Sequence, residues 1–596
     1  MKKIYNSLIA LFVAVLLLAQ GACSDDPDGL VLSGNDANIL TATASLNSAS
    51  FKSTAFGDSV IIAVPSYVDR ENVKVSVEIS ENATIDPIPE AIPNWGSPHR
   101  FTVTSYNGTT KDYVIAVVED AATKNYNGDI RIGSQNALDD FFSSGYTEIE
   151  GNISIYQESA KKAIKDLSAM GTLKMIKGNL TIREINARHI DLENLEEVGS
   201  VLIVSPSVTE INMPKLRFVA ERFQVGESGA GEVPTPHQEL EIINLSSLEY
   251  IGGTLKYFWC TKLETLEHLS KLTYVGKDFI VYGGAYKNLK GIEGVKAVNG
   301  QLYLSGKLNS LEGFNIERVG TNMTLFLPYV TDLSPLASLK TIGNGMTLFN
   351  NTDLTDLKGL EHIHVPNLRI ENFLSLESFE GLSIESAMKI LVLQGFPKLH
   401  DISVLSGMQS AETVILNAMS PLTSLSGLEN LQEVRDRITI SGMPVLEDIS
   451  ALSNLRNVGT LEFITLETLA DFSPLSHLTE IGSLRLDSLN AATDFDGFNN
   501  LTKITNGGLA IVACHKLDDL SPFSNISSVT FAQQSDKIWI ERNDKLFDYT
   551  PVAGLIETYM RQRRVYIKDN GYNPTEQNIR DSVYVGEGGD GMGSIK

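Results

Sequence analysis

Phe258, Tyr282, Phe326 and Phe349 occupy one position of a pattern that returns about every 23 residues, with Ser305 filling it in the middle repeat. Two residues earlier come Lys256, Ile280, Tyr303, Thr324 and Thr347. Side chains two apart on a strand face the same way, and neighbouring strands lie about 4.8 Å apart, so five such repeats would carry about 20 Å of outward aromatic surface. The chemistry open to such a row is stacking and apolar burial, without bond breaking. Flat rings suit the faces of sugars and the hot spots of protein interfaces. Trp259, Tyr286 and Tyr329 fall in the adjoining loops. Later repeats fill the first column with Glu371, Gln394, Asn417, Ser441 and Asp487 instead.

Groups able to do covalent chemistry are sparse. The nine histidines are scattered. His362-Ile363-His364 sets two imidazoles on one side of an extended segment, but no third His or Cys nearby completes a metal set. The stretch GESGAGE at 226–232 lacks the strand–Gly-x-Ser-x-Gly–helix setting of a hydrolase and reads as a loop. No Asp-x-Asp-x-Asp loop is present, so calcium is left as a structural option only. The reading is therefore no enzyme, no cofactor and no metal site.

The charge balance narrows the partners. Forty-eight basic residues against 73 acidic ones give a net charge of −25. Nucleic-acid binders need a concentrated positive surface, so no nucleic-acid partner is expected. A basic membrane-binding face is excluded on the same ground. Three cysteines cannot build a disulfide framework.

The elements that must position the rings begin after an export signal. Lys2 and Lys3 precede an apolar run from Leu8 to Ala19, which is too short to span a bilayer and suits a signal-peptide core. Gly21-Ala22-Cys23 resembles the lipobox of bacterial lipoproteins, with Gln20 where Leu is commonest. The resemblance implies cleavage after residue 22, diacylglycerol on the Cys23 sulfur and a membrane partner through that lipid alone. The acidic cluster Ser24-Asp25-Asp26-Pro27-Asp28 resembles the surface-export signal of Bacteroidetes-type lipoproteins. It implies an outer-membrane protein facing the exterior, and residues 23–37 read as an acidic tether.

From 38 to 120 the pattern has period two. Val73, Val75, Val77 and Ile79 alternate with polar residues, as do Phe101 and Val103, then Tyr113, Ile115 and Val117, with Asn107-Gly108 as a hairpin turn. Pro87 to Pro98 reads as a loop. Short strands over this length predict a β-sandwich. The segment FTVTSYNGTTKDYVIAVVED resembles the small immunoglobulin-like modules behind the lipid anchor of Bacteroidetes-type surface proteins. That module would be a spacer.

Residues 121–570 read as one repeat array. Ile251, Val275, Val298, Val319, Ile342 and Ile363 recur at steps of 21 to 24, and Val434, Val458, Ile481 and Ile504 resume the series. Most open a short strand, as in IGGTLKY, VGTNMTL and IGSLRL. One strand per period of 20–29 residues marks a leucine-rich solenoid, whose neighbours share one continuous core. About 17 turns would fit. Leu255-x-Tyr257-x-x-Cys260-x-x-Leu263 aligns with Met346-x-Leu348-x-x-Asn351-x-x-Leu354 and Leu509-x-Ile511-x-x-Cys514-x-x-Leu517. The slot after the strand points inward, which makes Cys260 and Cys514 buried free thiols far apart. Phrases such as LTSLSGLENLQEV, LTDLKGLEHI and LTEIGSLRL resemble the receptor L domain, the solenoid of insulin- and growth-factor-receptor ectodomains. The resemblance implies a right-handed β-solenoid with a binding sheet, and neither hormone recognition nor a kinase. The fold class is mainly β.

NALDDFFSSG reads as an N-terminal cap and YTPVAGLIETYMRQRR as a closing helix, whose Arg561, Arg563 and Arg564 read as a solvated face. Residues 571–596 read as a flexible tail. Three readings of the aromatic column stay open. It is an open platform made of Phe258, Trp259, Tyr282, Tyr303, Phe326 and Phe349. Or it is covered by the β domain, by the 226–238 insertion or by a second copy. Or the phase is wrong and the column is core. Two functions follow: a surface protein that binds a glycan or extracellular protein, or a spacer or assembly subunit of an outer-membrane complex.

Overall fold

The computed structural model describes residues 34–586 apart from 35, 47–48, 57, 66–67, 120–123, 160–161 and 228–236. The export segment, Cys23, the acidic cluster after it, most of the 226–238 insertion and the last ten residues lie outside the described residues. The chain is mainly β and forms two compact units. The first holds residues up to Asp129 with Asp140–Asn152 and Thr172–Lys177; the second holds Ile130–Asp139, Ile153–Gly171 and everything from Gly178.

The first unit packs two sheets around one core. One is antiparallel, in the order Ala49–Lys52, Ile39–Leu46, Lys74–Ile79; the other runs Thr54–Phe56, Ser59–Val64, Thr110–Glu119, His99–Thr104, Thr84–Asp86. Alternation decides what is buried: Val60, Ile62 and Val64 go in while Ser59, Ile61 and Ala63 stay out. Phe101, Val103, Tyr113, Ile115 and Val117 of the hairpin lie beside them on the same sheet, and Ala42, Ala44 and Val75 of the other sheet complete the core. The hairpin turns at Gly108, whose φ of +88° suits glycine. The segment 87–98 is a loop with a single 3-10 turn at Pro89–Ala91, and it carries a core residue. Trp95 is fully buried and stacks on Phe101 with ring centroids 5.8 Å apart. This unit also reaches past the boundary expected at 120. Asn125–Tyr126 and Met175–Ile176 each pair in parallel with Glu148–Ile149, and those backbone hydrogen bonds bind the later segments to the unit.

In the second unit each repeat adds one strand to a long parallel sheet. The strands Thr254–Phe258, Phe279–Tyr282, Leu302–Ser305, Asn322–Phe326 and Gly345–Asn351 pair in unbroken register, and the ladder continues through Asn367–Phe373 to Val565–Lys568. Leu255, Tyr257, Phe279, Val281, Leu302, Leu304, Leu325 and Leu348 are buried, so the L-x-L positions share one core. Glycine is required where the chain corners into the strand. A Cβ on Gly276 would lie 2.0 Å from the Gly252 carbonyl oxygen, and one on Gly343 2.0 Å from that of Gly320. No side chain fits between backbones that close.

The inward slot after the strand holds what its turn needs. Asn351 is buried and donates through Nδ2 to the carbonyls of Leu327 at 2.7 Å and Val330 at 2.8 Å; its Oδ1 accepts from the N–H groups of Asp353 and Leu354 at 2.9 and 2.7 Å. Cys260 and Cys514 occupy the equivalent slot as buried free thiols, and burial pushes both up to about 12. Unsatisfied backbone in these turns would be costly, which is why one amide side chain with four hydrogen bonds suits the slot.

The ends are more ordered than the sequence reading expects. Ala553–Met560 is a helix, as read, and the segment read as an N-terminal cap holds the helix Gln135–Phe142. Residues 571–586, placed in a tail by the sequence, instead carry the helix Glu576–Arg580, which buries Ile579 and is closed by a Thr575–Asn578 capping box. The Tyr549 N–H donates to the Tyr584 carbonyl at 3.0 Å, and Asp548 bridges Val585. Arg564 is structural: its Nη1 donates to the carbonyls of Gln533, Gln534 and Asp536 at 2.7–3.0 Å.

Two buried imidazoles make this fold acid-sensitive. His268 packs inside the second unit with Nε2 3.1 Å from the Tyr257 hydroxyl, and burial pushes it down to about 3; burial likewise pushes His237 down to about 4. Both are lower folded than unfolded, so as pH falls below about 6.5 the unfolded chain takes up protons first and stability drops. The slope per group reaches about 1.4 kcal/mol per pH unit. In urea titrations His268→Gln should flatten the fall in midpoint between pH 6.5 and 4. An unchanged slope would place the effect elsewhere.

Candidate functional site

The register puts the aromatic column together on one sheet face. Phe258 pairs with Tyr282, Tyr282 with Ser305, Ser305 with Phe326, and Phe326 with Phe349. All four rings are partly exposed, as is Tyr303, while the residues between them on each strand are buried. The column is therefore outward, and the reading of it as core falls. Tyr286 is the exception among the loop aromatics. It is fully buried, and its ring sits where a Cβ on Gly306 would come within 2.7 Å. Tyr329 is exposed.

The rings do not lie as one flat floor. Tyr282 and Tyr303 stack with centroids 5.3 Å apart and planes 25° apart, so each gives one face to the other. Trp259 meets Tyr282 at 4.8 Å and 74°. Phe326 and Phe349 form a second, tilted pair at 5.2 Å. The platform is two clusters, Trp259–Tyr282–Tyr303 and Phe326–Phe349, with the hydroxyls of Ser305 and Thr324 on the two adjacent strands that carry Tyr303 and Phe326. Strand register causes this, since rings on adjacent strands come within stacking distance of one another.

Trp259 sits in the turn that closes its strand. Its φ is +53°, in the left-handed region that a bulky side chain seldom adopts. The same turn position is left-handed in repeat after repeat, filled by Gly283, Gly395 and Gly442, by Asn350 and Asn372, and also by Glu184, Ala418, Thr465, Ser488, Ala513 and Arg542, so this conformation belongs to the turn of the repeat. The Trp259 ring lies against Gly283, where a Cβ would come within 2.9 Å of it. What is particular to this repeat is the side chain: among the described residues with left-handed φ Trp259 is the one aromatic, and a glycine on the next repeat makes room for its ring.

The polar setting is neutral. Burial, and next the neighbouring Tyr282, push the Tyr303 phenol up to about 12, so it stays protonated and can both donate and accept. The 226–238 insertion leaves the sheet at the first ring: a Cβ on Gly226 would lie 2.7 Å from the Phe258 carbonyl oxygen. Glu227 is fixed there by Arg183, with two contacts of 2.8 and 3.2 Å that lower the carboxyl from its ordinary range. Residues 228–236 lie outside the described residues.

Other groups named from sequence are apart from this face. His362 Nε2 is 2.9 Å from the Leu339 carbonyl, and His364 pairs with Glu385 at 3.2 Å. Among the described residues no group of three or more His, Cys, Asp or Glu could hold a metal ion.

Two ring sets escaped sequence reading. Phe218, Tyr250 and Tyr274 precede the repeat-opening Val219, Ile251 and Val275, and they stack at 4.6 and 4.8 Å with planes 2° and 6° apart. Rings this parallel cover one another's faces and act as a ladder that ties coils together. The column just before each opening Ile or Val was the signal. Trp539 and Tyr566 lie in the Lys256 column at the far end of the sheet, a place that the phase Ile538-x-Ile540-x-x-Asn543 would have revealed.

Residues 42–117 match the family described as SGBP, N-terminal. That family is the N-terminal domain of starch- and glycan-binding proteins of Bacteroidetes, which are cell-surface or outer-membrane associated. The match supports a Bacteroidetes surface protein. It lies within the first unit and includes none of the ring-bearing strands. No curated protein matches the chain.

Proposed function

We propose that the chain is a non-catalytic, lipid-anchored surface protein that holds a glycan against the outward sheet face between Thr254 and Asn351. The first unit is then an immunoglobulin-like spacer behind Cys23, and the second a leucine-rich solenoid of the receptor L type. The observation that carries the reading is the part-exposed ring cluster of Trp259 with the stacked Tyr282 and Tyr303. The family of residues 42–117 supplies the ligand class. Rings stack on the apolar faces of sugars, while Ser305, Thr324, Thr347 and the neutral Tyr303 phenol supply hydrogen bonds to hydroxyls. The net charge of −25 favours a neutral glycan over a polyanion.

A glycan array probed with the mature chain tests this. Binding to a neutral polysaccharide is expected, and replacing Tyr282 and Phe326 by Ala should weaken it by about 1–3 kcal/mol each with folding intact. An array without a neutral glycan hit, or a hit that the double variant binds equally well, rejects the reading. The anchor is tested separately. Cys23→Ala should move the protein from the membrane to the soluble fraction, since acyl chains would be its sole anchor. Continued membrane association would sink the lipid assignment.

A further inference from the structure

We infer that the same sheet face carries a second glycan-stacking subsite at its C-terminal end, built on Trp539 and Tyr566, so that one long neutral polysaccharide engages both ends. This rests on the glycan-binding reading above. Trp539 is the most exposed of the three tryptophans, at 42% against 0% for Trp95, with Trp259 part-buried. Its neighbour on the preceding strand is Ala510, which leaves the ring without a bulky residue on that side. On the other side Tyr566 lies 5.2 Å away at 63°.

One carboxylate fixes both rings. Trp539 Nε1–H donates to Glu541 Oε2 at 3.0 Å, and the Tyr566 hydroxyl donates to Glu541 Oε1 at 3.4 Å. Lys537 stands over Tyr566 at 5.7 Å from the ring centroid. Lys537, Trp539 and Glu541 alternate with the buried Ile538 and Ile540, so they share the outward side. Aromatic rings held in place by an acceptor, with a cation and a carboxylate at their rim, are pre-ordered for stacking plus hydrogen bonding to hydroxyls.

Both ends belong to one ladder. Phe349 leads by paired residues to Glu371, Gln394, Asn417, Ser441, Ile464, Asp487, Val512 and then Glu541, eight steps or about 38 Å along the sheet. The stretch between carries ion pairs such as Arg369–Glu371 and Arg485–Asp487. An occupant with apolar faces and many hydroxyls matches rings at both ends and polar groups between them. A chain held at both ends gains from effective concentration as well as from contacts.

The three tryptophans make the test direct, because Trp95 is buried in the first unit. In full-length Trp259→Phe the exposed reporter is Trp539; in Trp539→Phe it is Trp259. Each is titrated with soluble amylopectin, barley β-glucan, xyloglucan and galactomannan while tryptophan emission is followed. We expect one of these polysaccharides to shift the emission of both reporters. Trp539→Ala should then weaken that polysaccharide at least tenfold while leaving its tetrasaccharide, too short to span both ends, unchanged at the Trp259 reporter. A response from Trp259 alone overturns the second subsite and leaves the first. A response from Trp539 alone keeps the second subsite and overturns the first. Silence from both, as expected if a protein or a second copy covers this face, overturns both.

Discussion

Leu348→Asp should unfold the repeats around it, while Thr347→Asp, one residue away, should leave stability within about 0.5 kcal/mol. Leu348 is fully buried between Leu325 and Ile370 on the neighbouring strands. Loss of the leucine costs about 2–5 kcal/mol through lost transfer energy and cavity formation. Burying a carboxyl without a partner adds several more, whether it ionises or is forced to stay protonated. The total rivals the 5–15 kcal/mol that stabilises a typical domain. Because each repeat leans on its neighbours, the damage spreads along the array. Urea titration and limited proteolysis should show a lowered midpoint and new cleavage near 348. A stable Leu348→Asp beside an unstable Thr347→Asp would mean that the faces of the strand are assigned the wrong way round.

Much of this arrangement was legible because the chain repeats. The L-x-L phase placed Leu255, Tyr257 and Leu348 inside and Phe258, Tyr282 and Phe349 outside, for a strand has only two sides. The slot of Cys260, Asn351 and Cys514 was legible from its constant offset. What escaped depends on contacts between strands. Nothing in one sequence says that Tyr282 and Tyr303 stack on each other, since they lie in different repeats and different columns. The parallel pairing of Ser59–Val64 with Thr110–Glu119 is likewise a long-range choice that alternation does not encode. Trp95 sits in a proline-rich stretch whose composition reads as loop, yet its ring is core. The helix Glu576–Arg580 is a five-residue element, too short for a periodic signal to outweigh the glycine-rich residues after it.

Trp259→Gly separates function from fold more sharply than any other substitution on this face. Glycine relieves the left-handed strain, about 1–3 kcal/mol, and this offsets the lost ring contact with Tyr282, about 0.5–1.5 kcal/mol, together with some apolar burial. Stability should therefore stay within about 1 kcal/mol or rise slightly. Binding should suffer, because a tryptophan in a stacking site contributes about 2 kcal/mol or more, equivalent to roughly 30-fold in affinity. A residue kept only for packing would show the opposite pattern, with stability falling and affinity preserved.

The central claim is that the outward sheet face, and not the first unit, holds the glycan. Its most direct test is isothermal calorimetry of the mature chain and of Trp259→Gly against the neutral polysaccharide that the array selects. The thermal midpoint of the variant should stay within a few degrees of the parent's, and its dissociation constant should rise about 30-fold or more. Equal dissociation constants for the two proteins would contradict it.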